Sequence, residues 1–155
     1  MRRNLWWCLT VLGCGAAQPP PVEPVKSTPL AGTVDGQAWQ ASSATGSAQK
    51  AFSDGGERWI DVSGTAQLTC TGYNQAVQLI GTVPWVTGEA YNLSLARNLT
   101  ILTRTADGGI MNNIALSGRV EVLSAPDSGV GTLRIRAASG SGNGVEGQID
   151  VTVCD

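Results

Sequence analysis

Val145, Gly147, Ile149, Val151 and Val153 alternate with Glu146, Gln148, Asp150 and Thr152 at the end of the chain. Side chains with period two fall on opposite faces of a strand, so this stretch fits a half-buried β-strand and cannot gather one apolar face as a helix. The same period recurs through the second half of the chain. Apart from the apolar run from Leu5 to Leu12, no stretch carries the 3.6-residue apolar period of a helix.

Turn signals separate these segments. Asp35-Gly36 stands between Ala31–Val34 and Gln37–Ala41 and marks a tight hairpin. Asp54-Gly55-Gly56, Asp107-Gly108-Gly109 and Pro126-Asp127-Ser128-Gly129 mark further turns, and Ser139 to Gly144 is a glycine-serine connection. Ile60 and Val62 share one face of a strand over residues 58–64, and Leu68 and Cys70 continue that period. Val77, Leu79, Gly81 and Val83 form another strand that Pro84 ends. Residues 42–51 carry little pattern. In the hairpin after Arg119, pairing Val122 with Leu133 and Val120 with Ile135 places four apolar side chains inward. Glu121 then faces Arg134, and Arg119 faces Arg136, on the solvent side. A one-residue slip would expose all four apolar groups.

Glycine is abundant, 20 of 155 residues, and only 14% of the chain is charged, which suits strands joined by tight turns. The expectation is an all-β fold, an antiparallel β-sandwich of roughly 8–10 short strands over residues 30–155. Its core is predicted to include Val34, Trp39, Ile60, Val62, Leu79, Ile101, Leu116, Val120, Val122, Leu133, Ile135, Ile149 and Val151.

The N-terminus carries an address. Arg2 and Arg3 precede an apolar run from Leu5 to Leu12, and small residues follow. Val11-Leu12-Gly13-Cys14 resembles the lipobox of bacterial lipoproteins. The resemblance implies a signal peptide over 1–13, cleavage before Cys14, and acyl chains on Cys14 that anchor the chain to a membrane of the cell envelope, with the outer membrane as the expected location. The octapeptide Gly32-Thr-Val-Asp-Gly-Gln-Ala-Trp39 is similar to the opening of small bacterial lipoprotein domains of unknown function, which implies a β-rich fold and a buried Trp39. Residues 14–29 hold five of the seven prolines and read as a disordered, proline-rich tether. A proline-rich ligand for a partner domain is the competing assignment.

With Cys8 in the leader and Cys14 acylated, Cys70 and Cys154 remain as an even pair in an exported chain, and a disulfide is expected. Two free thiols or a metal pair is the alternative. Parity places Cys154 on the polar face and Cys70 beside Leu68, so the bond requires a bend at one partner.

The sequence contains no histidine, which removes Ser-His-Asp and Cys-His catalysis. No GxSxG elbow or phosphate-binding glycine loop is present. Basic residues are scattered: 10 − 2 = 8 remain after the leader against 12 acidic ones. No nucleic-acid partner is expected. Asp61, Glu121, Glu146 and Asp150 are the carboxylates available for glycoside-type hydrolysis, and parity places all of them outward. Asp35, Asp54, Asp107 and Asp127 sit in turns, where calcium binding competes with ordinary turn chemistry. Trp59 falls on a polar face, Trp85 follows a proline, and Tyr73 and Tyr91 flank turns. These rings either form a platform for a carbohydrate or an envelope protein, or cover the open end of the fold. The function expected is a non-catalytic, lipid-anchored binding or scaffolding module without cofactor or metal. A carboxylate-based hydrolase is the alternative.

Overall fold

A computed structural model describes residues 22–48, 56–71 and 76–154. The expected signal peptide over 1–13, Cys14, Asp54 and Tyr73 lie outside the described residues. Ten strands follow in order: β1 (Ala31–Val34), β2 (Gln37–Gln40), β3 (Ser43–Ser47), β4 (Glu57–Ser63), β5 (Leu79–Pro84), β6 (Ala90–Asn92), β7 (Leu99–Arg104), β8 (Ile110–Ser124), β9 (Gly129–Ser139) and β10 (Gly144–Cys154). The all-β class expected from the alternation holds among the described residues.

The sandwich does not. The sheet runs β10-β3-β4-β5-β7-β8-β9 and returns to β10, a closed barrel of seven strands. Closure depends on β10. One edge pairs with β9 along Gly144–Val153. The opposite edge is shared: Gly144 to Glu146 pair with β1, and Thr152 to Cys154 pair in parallel with Thr45 to Ser47 of β3. Sequence pattern could not reveal that seam, because β3 reads Ser-Ala-Thr-Gly-Ser and shows no apolar alternation. Its inward positions are small for a reason: a Cβ on Gly46 would stand 3.0 Å from Val151 Cγ1.

Strand register follows the apolar pattern. Val122 pairs with Leu133, Val120 with Ile135, Glu121 with Arg134 and Arg119 with Arg136. The four apolar side chains are buried in one core with Ile60, Val62, Leu79, Leu99, Ile101 and Val151. The charged groups choose other partners, however. Glu121 accepts from Arg119 Nε of its own strand at 3.0 Å, and Arg134 Nε donates to Gln148 Oε1 at 3.2 Å. The Asp35-Gly36 turn is present, with both residues at positive φ (55° and 70°) as a tight hairpin of the primed type demands.

Leu116 is a correction. It is 43% exposed, because β8 carries a bulge between Ala115 and Ser117. The extra residue reverses parity: Asn113 and Ala115 point inward before it, and Val120 and Val122 after it. Ile114 is left on the outer surface for the same reason. Ile149 is only partly buried and packs against the core, while the other expected core residues are buried.

Two segments outside the strands belong to the folded body. From Glu23 the stretch expected as tether lies on the barrel. Val25 is buried, its N–H donating to Glu121 Oε1 at 3.4 Å. Arg136 Nη2 donates to the Pro24 carbonyl at 2.8 Å, and Lys26 Nζ pairs with Glu146 at 2.9 Å. Leu30 N–H and Gln148 O meet at 2.9 Å, and Thr28 O receives Gln148 N–H at 2.7 Å, so the segment adds to the sheet edge. After Ser63 the chain leaves β4 instead of continuing the strand through Cys70. Ser43 Oγ donates to Ala66 O at 2.7 Å and accepts from Leu68 N–H at 2.9 Å, which lays this loop against β3. That departure brings Cys70 to Cys154 at the end of β10.

Cys70 and Cys154 form a disulfide with Cα atoms 5.3 Å apart, closing 84 residues. The parity conflict disappears because Cys70 belongs to a loop, not to a strand. The bond sits where β10 meets β3, so it fastens the barrel seam. The double substitution Cys70→Ala/Cys154→Ala should lower unfolding free energy by up to about 4 kcal/mol. Urea denaturation with and without reductant is the measurement. Wild type should respond to reductant and the double variant should not.

Candidate functional site

Among the described residues the barrel offers a side groove and a mouth pocket. The groove lies on the outer face of β4, β5 and β7 and encloses about 280 Å³. Trp59 of β4 and Thr82 of β5 are direct cross-strand partners, and Thr100 of β7 pairs with the neighbouring Ile80. Their side chains point outward because Ile60, Leu79 and Ile101 take the inward positions. Glu57, Arg97 and Asn98 complete the rim. Ser94 N–H donates to Arg97 O at 2.8 Å and Arg97 N–H to Ser94 Oγ at 3.3 Å, so the loop that presents Arg97 is a fixed turn.

The aromatic residues divide. Trp59 is partly exposed, and its Nε1 donates to Asp61 Oδ1 at 2.9 Å, which holds the ring at one orientation in the groove. Trp85 is buried, its Nε1 donating to Pro126 O at 2.8 Å. The indole packs over Gly131, where a Cβ would come within 2.5 Å of the ring, so only glycine fits beneath it. Arg58 also lies over the ring, with Cζ 5.8 Å from its centre. Trp85 thus takes the covering role. Tyr91 is also buried; its hydroxyl donates to Thr82 O at 3.4 Å, where the β5 edge extends beyond its pairing with β7. Burial pushes the phenol above its ordinary range, Arg97 opposes that and Glu57 adds to it, so Tyr91 stays a neutral donor. Arg97 Cζ lies 5.5 Å from the Tyr91 ring centre, so the buried tyrosine supports the groove's cation from below. Tyr73 lies outside the described residues.

The carboxylates do not gather. Glu121 is bound to Arg119, Glu146 to Lys26 and Arg136, and Asp150 accepts from Thr132 Oγ1 at 2.9 Å. Desolvation works against the Glu146 charge, but hydrogen bonds from Lys26 and Arg136 outweigh it and hold the carboxyl below its usual value. Asp61 differs: burial raises its pKa, and the Trp59 bond only partly offsets that. Glu57 is the acid nearest in sequence to Asp61 on β4, four residues along one strand, or roughly 13 Å at ~3.3 Å per residue. Glycoside hydrolysis uses carboxyl pairs separated by about 5–9.5 Å. No group of three or more His, Cys, Asp or Glu among the described residues is arranged to hold a metal ion.

The mouth pocket, about 380 Å³, lies beneath the β1–β2 hairpin. Trp39 is buried against it, with Nε1 donating to Gln78 Oε1 at 2.8 Å. Sequence reasoning placed Trp39 in the core but had no signal for the pocket, nor for Arg97, Asn98, Thr82 and Thr100 in the groove. Those residues converge only when non-adjacent strands close. Comparison with known proteins finds no matching family, no similar curated protein and no similar solved structure.

Asp61 supplies a pH test. Its folded-state pKa lies above the ordinary aspartate value of 3.8, so stability present below that value is lost as pH rises through the folded pKa. Asp61→Asn stays neutral and still accepts from Trp59. Its denaturation midpoint should gain on wild type as pH rises from below 3.8 to neutrality and match wild type at the acid end. A constant difference across that range would show that Asp61 titrates normally.

Proposed function

We propose that this chain is a lipid-anchored protein of the cell envelope, held by acyl chains on Cys14, whose barrel binds a carbohydrate through the Trp59 groove. One observation carries the ligand assignment. A partly exposed indole, locked by Asp61, is bordered by Glu57, Arg97, Asn98, Thr82 and Thr100. A flat apolar face ringed by hydrogen-bonding groups suits a sugar ring, which has apolar C–H faces and a polar rim. The locked ring also loses little freedom on binding.

The anchor rests on the resemblance of Val11 to Cys14 to a lipobox. Between Cys14 and Val22, where the described chain begins, lie 22 − 14 = 8 residue steps. Fully extended they reach about 26 Å, so an acylated Cys14 keeps the barrel close to the bilayer. Two or three acyl chains anchor firmly. The outer membrane is the proposed location. A carboxylate hydrolase has the raised Asp61 pKa in its favour, but Asp61 is already engaged by Trp59, and Glu57 on the same strand is too distant for paired-carboxyl chemistry.

The two parts are tested separately. Cys14→Ala should move the protein from the membrane to the soluble fraction and remove acyl mass; unchanged membrane association would overturn the anchor. In affinity electrophoresis through gels containing a panel of soluble polysaccharides, wild type should be retarded by at least one. Trp59→Ala should reduce that retardation by at least tenfold in apparent affinity, about 1.4 kcal/mol. Equal retardation of both proteins would overturn the groove assignment.

A further inference from the structure

We infer that the mouth pocket is a second binding site, built for a small zwitterionic amino compound with an apolar body, such as a free apolar amino acid or a short unblocked peptide. Its volume, about 380 Å³, lies at the small end of the range for small-molecule sites, which favour the mouths of barrels.

The site is assembled from separate elements at one end of the barrel. The β1–β2 hairpin contributes Asp35 and Trp39, and the β7–β8 end contributes Leu102, Arg104 and Ile110. An acid and a guanidinium therefore line one cavity from different elements, with apolar surface from Trp39, Leu102 and Ile110 among them. A ligand carrying only a carboxylate meets Asp35 as a like charge, and one carrying only an ammonium meets Arg104. A zwitterion satisfies both groups. Arg104 already makes another interaction, but a guanidinium has five donors and can take a carboxylate as well.

The frame is fixed before any ligand enters. Asp35 holds its place because its N–H donates to Asn143 Oδ1 at 2.6 Å, tying the hairpin turn to the β9–β10 connection. Asn143 Nδ2 donates to Ser141 Oγ at 2.9 Å, and Ser141 Oγ donates to the buried Asn113 of β8 at 2.8 Å. Trp39 is pinned by Gln78, whose Oε1 also accepts from Gly64 N–H at 2.9 Å. With that oxygen taken twice, the amide Nε2 is the group Gln78 has to offer, a donor suited to a carboxylate. A preformed site of this kind spends little binding energy on ordering its own groups.

Isothermal titration of the full chain with the dipeptide Leu-Phe, its N-acetyl form and its C-terminal amide tests the assignment. Wild type should bind the free dipeptide, and each cap should weaken binding by about two- to fivefold, the effect of one solvent-accessible charge pair. Asp35→Asn should bind the free and acetylated forms equally. Arg104→Gln should bind the free and amidated forms equally. Trp59→Ala, which alters the side groove, should leave all of these affinities unchanged. No heat of binding to wild type of native circular dichroism would overturn the inference. So would caps that weaken binding as much in the charge variants as in wild type, or an Ala38→Trp pocket-filling variant that binds as wild type does.

Discussion

The backbone hydrogen bonds of β10 are the constraint on which the rest of the molecule depends. A strand has two edges, and each buried donor and acceptor along them needs a partner. β10 gives one whole edge to β9 and divides the other between β1 and β3. The β3 share is only the parallel run from Thr152 to Cys154, yet it converts an open sheet into a closed one. Closure gives each of the seven barrel strands a neighbour on both sides, where an open sheet would present free edges to other chains. The disulfide is attached at this short seam, where a covalent link limits fraying of the chain end.

The outer surface is organised by charge and by the returning N-terminal segment. Arg119 and Arg136 are forced into adjacent cross-strand positions by a register that the apolar residues set. Their repulsion is relieved locally: Arg119 turns to Glu121, and Arg136 takes Glu146 together with Glu23 and the Pro24 carbonyl. The chain from Glu23 to Pro29 is thereby drawn onto the barrel. Exposed ion pairs are individually weak. Here they act together with the burial of Val25 and the bonds that Thr28 and Leu30 make with Gln148.

Both candidate sites arise where the barrel departs from regularity. The side groove forms where β5 outruns its pairing with β7 and Tyr91 bonds to the strand end. The mouth pocket forms where the β1–β2 hairpin folds over the barrel end and Trp39 reaches Gln78. In each, an indole N–H is bound within the protein, so the ring is held still while part of its apolar surface remains available.

The sequence alone determined the class of structure, the hairpin at Asp35-Gly36, the register of β8 on β9 and the strand identity of β10. These follow from local turn chemistry and period-two alternation, which act between residues close in the chain or directly opposed. It also identified the cysteine pair, from composition and the expected compartment. The β3 strand, the barrel and the reversed face of Ile114 and Leu116 were decided by tertiary structure. The small side chains of β3 carry no pattern until Val151 packs against Gly46, and the β8 bulge exists because strands of a closed sheet must bend. The groove and the pocket were likewise invisible in sequence. Trp59 and Arg97, or Asp35 and Arg104, become neighbours of one cavity only because closure brings distant segments together, and no local rule of spacing records that distance.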